Sequence, residues 1–318
     1  MIDVTALGEV LIDFTDAGTS AGGQKLFERN PGGAPANVLV ACRRLGHSAA
    51  VIGKVGDDMH GAFLRDVLDE NGVDTQELVT DPDVFTTLAF VALSPDGERS
   101  FSFARKPGAD TMLRSSEVDR GIIEESRVFH MGSLSLTDEP ARSASLVALA
   151  RASAAGCIKS YDPNYRASLW GSKAEAAAQM RSVVEHMDVV KISAEECELL
   201  TDKADPAEAA AAILSQGPSI VVVTLDAEGA YVATQDGDRT VPSFRTEAVD
   251  TTGAGDSFWG GFLCALVESG KAPAEVGIDE AAEFVRFGNA VASLCVRARG
   301  GIPAMPSREA VDKLLAGA

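Results

Sequence analysis

The sequence predicts an α/β fold with a mainly parallel central sheet, helices on both faces and a small β excursion. Three observations carry this. Short β-rich runs alternate with helical stretches over most of the 318 residues, several helices close at a glycine, and the segments 11–30 and 85–104 break the rhythm. Strands and helices that alternate along a chain build a sheet from βαβ units.

In chain order, the strand candidates are 4–7, 50–55, 128–131, 158–162, 189–192 and 220–225. These runs are apolar almost throughout, as strands covered on both faces are. Between them, 58–70, 141–155, 173–186, 207–216, 256–268 and 280–296 read as helices. Gly46, Gly72, Gly156 and Gly270 stand where a left-handed residue ends a helix. Segment 85–104 is a hairpin with turn chemistry at Ser94-Pro95-Asp96-Gly97. The excursion reads as a lid, because the two sharpest motifs flank it. No repeat, low-complexity tract or Pro-rich linker divides the chain, so one domain over 1–318 is expected, with its lid formed by about 11–30 and 85–108.

A hydrophobic content of 46% supplies a sizeable core. With 28 basic and 47 acidic side chains the formal net charge is -19, the wrong sign for a nucleic-acid or anionic-lipid surface. An acidic protein that binds an anion must gather positive potential locally, at Lys, Arg, a helix N-terminus or a bound cation. Cys42, Cys157, Cys197, Cys264 and Cys295 lie far apart with no metal-ligand spacing, and read as buried free thiols in a reducing compartment. No basic leader precedes the first strand and no uncharged run is long enough to span a membrane, so a cytoplasmic location is expected.

The sharpest segment is DTTGAGDSFWGGF, residues 250–262, at a junction of strand and helix. Gly253, Ala254 and Gly255 let a ligand approach bare amides at a helix N-terminus, where developing phosphoryl charge is stabilised. Asp256 follows directly, placed to accept a proton or hydrogen bond from an attacking hydroxyl. An isolated Gly-x-Gly-Asp would read first as a capped helix with turn glycines. Gly260 and Gly261 tilt the balance: glycine inside a helix costs about 1 kcal/mol each relative to alanine, which implies close packing of another backbone. The segment is neither a dinucleotide fingerprint nor a P-loop. A second segment, PGGAPANV at 31–38, has two prolines and two glycines that should prevent regular structure before a helix continuing to Arg44. It offers the amides of Gly32 and Gly33 and the side chain of Asn37 to a ligand.

These two motifs, the first followed by RRLG, resemble the paired signatures of the PfkB (ribokinase-like) carbohydrate kinase family, and the likeness runs from about residue 2 to 307. GEVLIDF, KVGDD, RKPGAD, KISAEECELLT and GGIPAMP resemble its fructokinases most. The resemblance implies a ribokinase-like three-layer α/β/α domain with a β-sheet lid, and a sugar held by Asp13, Gly32, Gly33 and Asn37. Asp256 is implied as the base and Gly253, Ala254 and Gly255 as the anion hole. Without the family match Asp13 would read as a solvated strand residue. Arg105 is expected to close over the sugar from the lid. For Arg166, contact with the substrate or phosphates and an exposed position after a turn are both open.

For ATP the resemblance points to Thr224, Gly229 and Asn289 around the adenosine. The family's Asn-x-x-Glu element, which organises Mg²⁺ near the phosphates, maps onto Ser193 and Glu196, so direct metal ligation is not implied for either. Asp226 stands where the family usually has glycine. A monovalent cation, K⁺ among them, maps onto Asp250, Thr252 and the loop 299–304, in which Ala304 replaces a frequent serine. The implied reaction is transfer from MgATP to the 6-hydroxyl of D-fructose through a loose transition state, for which an aspartate of ordinary or lowered pKa suffices. The rivals are 2-keto-3-deoxygluconate, whose carboxylate Arg105 and Arg166 would pair, then ribose, a nucleoside acceptor, and a silent sugar sensor. The lid strands offer edges that would pair in a homodimer.

Overall fold

The computed structural model describes residues 1–93 and 99–317. Among them the strands are β1 (Ile2–Leu7), β2 (Leu11–Thr19), β3 (Lys25–Gly32), β4 (Ala49–Gly56), β5 (Leu78–Asp81), β6 (Leu88–Leu93), β7 (Arg99–Ala104), β8 (Ser126–Gly132), β9 (Ile158–Asp162), β10 (Val189–Ser193), β11 (Ile220–Thr224), β12 (Gly229–Thr234) and β13 (Gly237–Pro242). The α-helices are α1 (Ala34–Arg44), α2 (Met59–Glu70), α3 (Arg120–Glu124), α4 (Ala141–Ala155), α5 (Lys173–Arg181), α6 (Cys197–Thr201), α7 (Pro206–Leu214), α8 (Ala254–Ser269), α9 (Ile278–Cys295) and α10 (Arg308–Ala316).

Nine strands form one sheet in the order β13-β12-β11-β10-β9-β8-β1-β4-β5. Every pairing from β11 to β5 is parallel, while β12 and β13 close one edge antiparallel. Side-chain alternation divides the interior into two cores. Ile220 and Val222 of β11 face one and Val221 and Val223 the other, all four fully buried. Burying each such side chain contributes about 1.5–3 kcal/mol, which is why both faces must be covered by helices. α1, α2, α8, α9 and α10 pack on the first core and α3 to α7 on the second. The expected three-layer fold is the one observed.

The segments that broke the rhythm form a second sheet of four strands, β3-β2-β6-β7. β2 pairs antiparallel with β3 and parallel with β6, which pairs antiparallel with β7. The turn placed at Ser94-Pro95-Asp96-Gly97 lies outside the described residues.

Several expectations need correction. The helix expected over 173–186 ends at Arg181, and a separate 3₁₀ turn covers Val184–His186. PGGAPANV is more regular than its composition suggests. Pro31 and Gly32 end β3, and Pro35 sits in the first turn of α1, where its missing N–H would have no helical partner anyway. β5 and the β12–β13 hairpin were not anticipated: β5 has four residues, and β13 is largely exposed, so neither shows an apolar run.

The close approach expected at Gly260 and Gly261 is present. A Cβ on Gly260 would lie 2.7 Å from Cβ of Ala41 on α1, and one on Gly261 2.8 Å from Cγ2 of Val291 on α9. α8 is thereby pressed between the two helices that flank the site.

Candidate active site

The parallel strands deliver their C-terminal ends to one edge of the large sheet, where open α/β sheets bind ligands. Here a cleft of about 720 Å³ opens between that edge and the small sheet. Asp13 of β2 and Phe103 of β7 line it from the lid side. Lys191, Ser193 and Thr224 line it from the ends of β10 and β11, and Gly253 to Asp256 from the start of α8.

Gly253 caps α8 in the left-handed region, with φ 75°, so Ala254 and Gly255 form the first helical turn with their amides toward the cleft end. The helix therefore starts two residues before the expected position, and the anion nest is its own first turn. Asp256 follows inside the helix, 9% exposed, with Oδ2 accepting from Nδ2 of Asn37 at 2.7 Å. Burial raises the Asp256 pKa and Asp162 adds to the rise, while Asn37, Lys191 and Arg166 oppose it. The net direction is upward, whereas the sequence reading required only an ordinary or lowered value. A buried carboxylate so placed is a better proton acceptor than an exposed one.

Asp13 and Gly32 fit against each other so closely that a Cβ on Gly32 would overlap Oδ2 of Asp13. Gly33, at φ 109°, would likewise drive a Cβ into the carbonyl oxygen of Glu9. The two glycines are thus needed to fold PGGAPANV around the carboxylates of β2 and the loop before it. Asp13, Gly33 and Asn37 share the cleft with Asp256.

Arg166 lines the cleft, and its Nη1 donates to the Tyr165 carbonyl at 3.0 Å. Arg105 has a different setting from the one expected. It is 5% exposed and lines a second cavity instead. Nε donates to Asp110 at 2.8 Å, Nη1 to Thr137 Oγ1 at 2.8 Å and Nη2 to the Leu134 carbonyl at 2.8 Å. A buried guanidinium needs such partners, and they hold it below the lid rather than over the cleft.

On the nucleotide side, Thr224 lines the cleft and Gly229 opens β12 behind it. Asn289 on α9 is buried and donates to the carbonyls of Val241 and Pro242 at 3.1 and 3.2 Å. It therefore fixes the strand end from which Ser243, Phe244 and Arg245 line the cleft. Asp226 lines the cleft at φ 49°, so it keeps the backbone that glycine would adopt, which aspartate tolerates. Glu196 spends Oε1 on the Tyr165 amide at 2.7 Å and Oε2 on the Ser193 amide at 2.8 Å. Asp250 accepts from Thr252 Oγ1 at 2.8 Å and from the Gly300 amide at 2.9 Å, tying the front of the GAGD segment to the loop 299–304.

Sequence reasoning missed three ionisable groups. Lys191, buried near Asp256, donates to Asp162 Oδ2 at 2.7 Å. Burial works against its charge, but Asp162, Glu196 and Asp256 outweigh that and raise its pKa. Its Nζ lies 3.1 Å from where a Cβ on Gly255 would stand, so a fixed cation sits beside the nest. The signal was a lysine in the buried run VVKIS, and an aspartate at the end of the buried β9. The third group, Glu9, lines the cleft and accepts from the Ala34 amide at 2.9 Å.

A buried carboxylate at a helix N-terminus, in one cleft with Asp13 and Asn37, is the kind of arrangement that serves phosphoryl transfer to a hydroxyl acceptor. The sequence of the pfkB family carbohydrate kinases matches residues 1–308. The chain is 43% identical over 320 residues to probable fructokinase-4 of Arabidopsis thaliana, covering 99% of this chain and 97% of that one. Fructokinase with bound ATP from Xylella fastidiosa superposes with a TM-score of 0.92 at 35% identity, covering 100% of this chain and 99% of that one. A fructokinase double mutant from Vibrio cholerae O395, with fructose, ADP and potassium ion bound, gives a TM-score of 0.90 at 33% identity over 99% and 98% of the two chains. The chain belongs to the pfkB family of carbohydrate kinases.

Proposed function

We propose that this protein is an ATP-dependent fructokinase, converting D-fructose and ATP to fructose 6-phosphate and ADP. The observation that carries the reading is the buried Asp256 carboxylate, held by Asn37 at 2.7 Å beside the first turn of α8 and within one cleft with Asp13. The likeness to fructokinases over nearly the whole chain supports the choice of sugar.

In this reading Asp13, Gly32, Gly33 and Asn37 hold the sugar so that its 6-hydroxyl meets Asp256. As the oxygen attacks the γ-phosphorus, its proton passes to the carboxylate and the bond to the ADP oxygen breaks. The amides of Gly253, Ala254 and Gly255 take the charge on the transferring group, and Lys191 adds a fixed positive charge. The lid keeps water from competing as acceptor. Thr224, Gly229 and Asn289 shape the nucleotide side. Magnesium accompanies ATP and neutralises phosphate charge. Glu196 accepts the Tyr165 and Ser193 amides, so with Ser193 it would shape the loop beside the phosphates and their metal. Asp250, Thr252 and the loop 299–304 would hold K⁺.

Arg105 is committed to Asp110, which removes one of the two arginines that favoured 2-keto-3-deoxygluconate. Arg166 remains beside the site for the substrate or phosphates. Leu26, Phe27 and Phe90 of the small sheet are exposed, and Phe14, Phe27 and Phe90 are in ring contact. Such an apolar sheet face suits a homodimer formed through the lid. Among the described residues no helix is long and apolar enough to cross a membrane, and all five thiols are buried and free, which suits a reducing cytoplasm.

The test is ADP release from MgATP with D-fructose, 2-keto-3-deoxygluconate, ribose, tagatose and adenosine, with and without potassium. Turnover on fructose above the others supports the assignment. Preference for the keto acid would move it to that substrate, and silence throughout would revive a sugar sensor.

A further inference from the structure

Glu9 is a buried carboxylate in the cleft that the mechanism above does not use. It is 3% exposed and lies in the connection between β1 and β2. Residues 9, 11 and 13 all line the cleft, so Glu9 extends the side of the chain that carries Asp13 one step deeper. Its Oε1 accepts from the amide of Ala34 at the start of α1. Gly33 packs on its carbonyl oxygen too tightly to admit a side chain. Glu9 and the sugar-binding turn are thus one built unit.

A carboxylate has about four acceptor positions, and backbone amides of Glu9 itself and Ala34 occupy only part of them. Glu9 itself is part of the cleft wall. Arg105 and Asp110 lie behind it, from the end of β7 and the following turn, and act on its charge in opposite senses. The other ionisable residues that line the cleft are Asp13, Arg166, Lys191, Asp226, Arg245 and Asp256. Arg105 is already held by Asp110, so among the described residues Glu9 has no ion pair of its own, and a buried carboxylate in that condition gains most from a hydroxyl donor.

We propose that Glu9 is a second carboxylate of the acceptor subsite, fixing the Gly33–Ala34 turn while accepting a hydrogen bond from a sugar hydroxyl other than the one phosphorylated. The inference rests on the sugar-kinase reading. It makes the cleft favour polyhydroxy acceptors over ones that present an apolar or anionic group at this depth. Burial raises the Glu9 pKa to about 7, so the acceptor form fills as pH rises through neutrality, and sugar affinity follows it.

The sugar for the test is whichever one wild-type enzyme phosphorylates, so an error in the fructose assignment shows in that first assay and leaves this test intact. Sugar binding is measured calorimetrically in an Asp256→Asn background, which removes the titration of that group, with Glu9, Glu9→Gln and Glu9→Leu. Monodeoxy derivatives of the sugar are compared with the parent. One derivative should bind the Glu9 protein about 10-fold or more weaker than the parent, and bind Glu9→Leu as well as the parent does. Equal losses for every derivative on both proteins would overturn the proposal. Glu9→Gln should keep the Ala34 contact and flatten the pH dependence of sugar affinity around the value of about 7. If Glu9→Leu does not fold, this arm decides alone, and an unchanged pH profile in Glu9→Gln overturns the proposal.

Discussion

The side-chain amide of Asn37 donates to the carboxylate of Asp256 at 2.7 Å, joining positions 219 residues apart. One comes from the first turns of α1 and the other from the first turn of α8, and the two helices are in contact through Gly260. The bond aims the carboxylate and favours its ionised form against the effect of burial.

Replacing Asp256 by Asn should lower kcat by about 10²- to 10⁴-fold, with a much smaller change in ATP and sugar affinity. Steady-state kinetics with calorimetric binding checks this. Near-normal kcat in a folded variant would remove Asp256 from the role of base.

The same substitution should stabilise the free protein near neutrality. The folded-state pKa of Asp256 lies above its ordinary 3.8, so the stability it contributes is present below that value and is lost as pH rises through the folded pKa. The Tm of Asp256→Asn minus that of wild type should therefore grow with pH from acid toward neutral. A difference that stays flat would mean that Asp256 is not held in a desolvated state.

Asn37→Leu removes a hydrogen bond that lowers the Asp256 pKa. The acid limb of the kcat profile should move to higher pH, and a profile that only scales down would assign Asn37 to sugar binding alone.

Lys191→Met leaves Asp162 buried without its cation, a change that costs about 3–5 kcal/mol when a buried pair is broken on one side. Lys191→Met/Asp162→Asn restores charge balance, and its Tm should recover much of the loss. If Lys191 also acts on the transferring phosphoryl group, kcat stays low in the double variant; recovery of both Tm and kcat would reduce Lys191 to a structural counterion.

Gly255→Ala would place a methyl 3.1 Å from the Lys191 ammonium. We expect folding to survive and kcat to fall by about 10-fold or more, because the anion nest and its cation must separate. Circular dichroism with single-turnover kinetics separates the two effects.

The local patterns in the chain were sufficient for much of this. Continuous apolar runs such as 220–225 identify strands covered on both sides, and the small residues of DTTGAGDSFWGGF mark a bare helix N-terminus followed by a carboxylate. These features are legible because they depend on neighbours in sequence: side-chain alternation, turn chemistry and the space left by a missing Cβ. Glycines at 260 and 261 even signalled the packing partner's closeness, though not that α1 and α9 provide it.

Tertiary structure alone decided where the long polar side chains go. Arg105 has the sequence setting of a lid residue, yet its guanidinium turns to Asp110, Leu134 and Thr137, because burial makes three fixed partners worth more than an open cleft. Lys191 and Asp162 sit in separate strands, and only the β9–β10 pairing makes them an ion pair near Asp256. The raised pKa of Asp256 likewise depends on desolvation and on charges from β9 and β10. Sequence fixes which groups are present and on which local element; the energy of a buried charge depends on everything packed around it, and that is set by contacts between residues far apart in the chain.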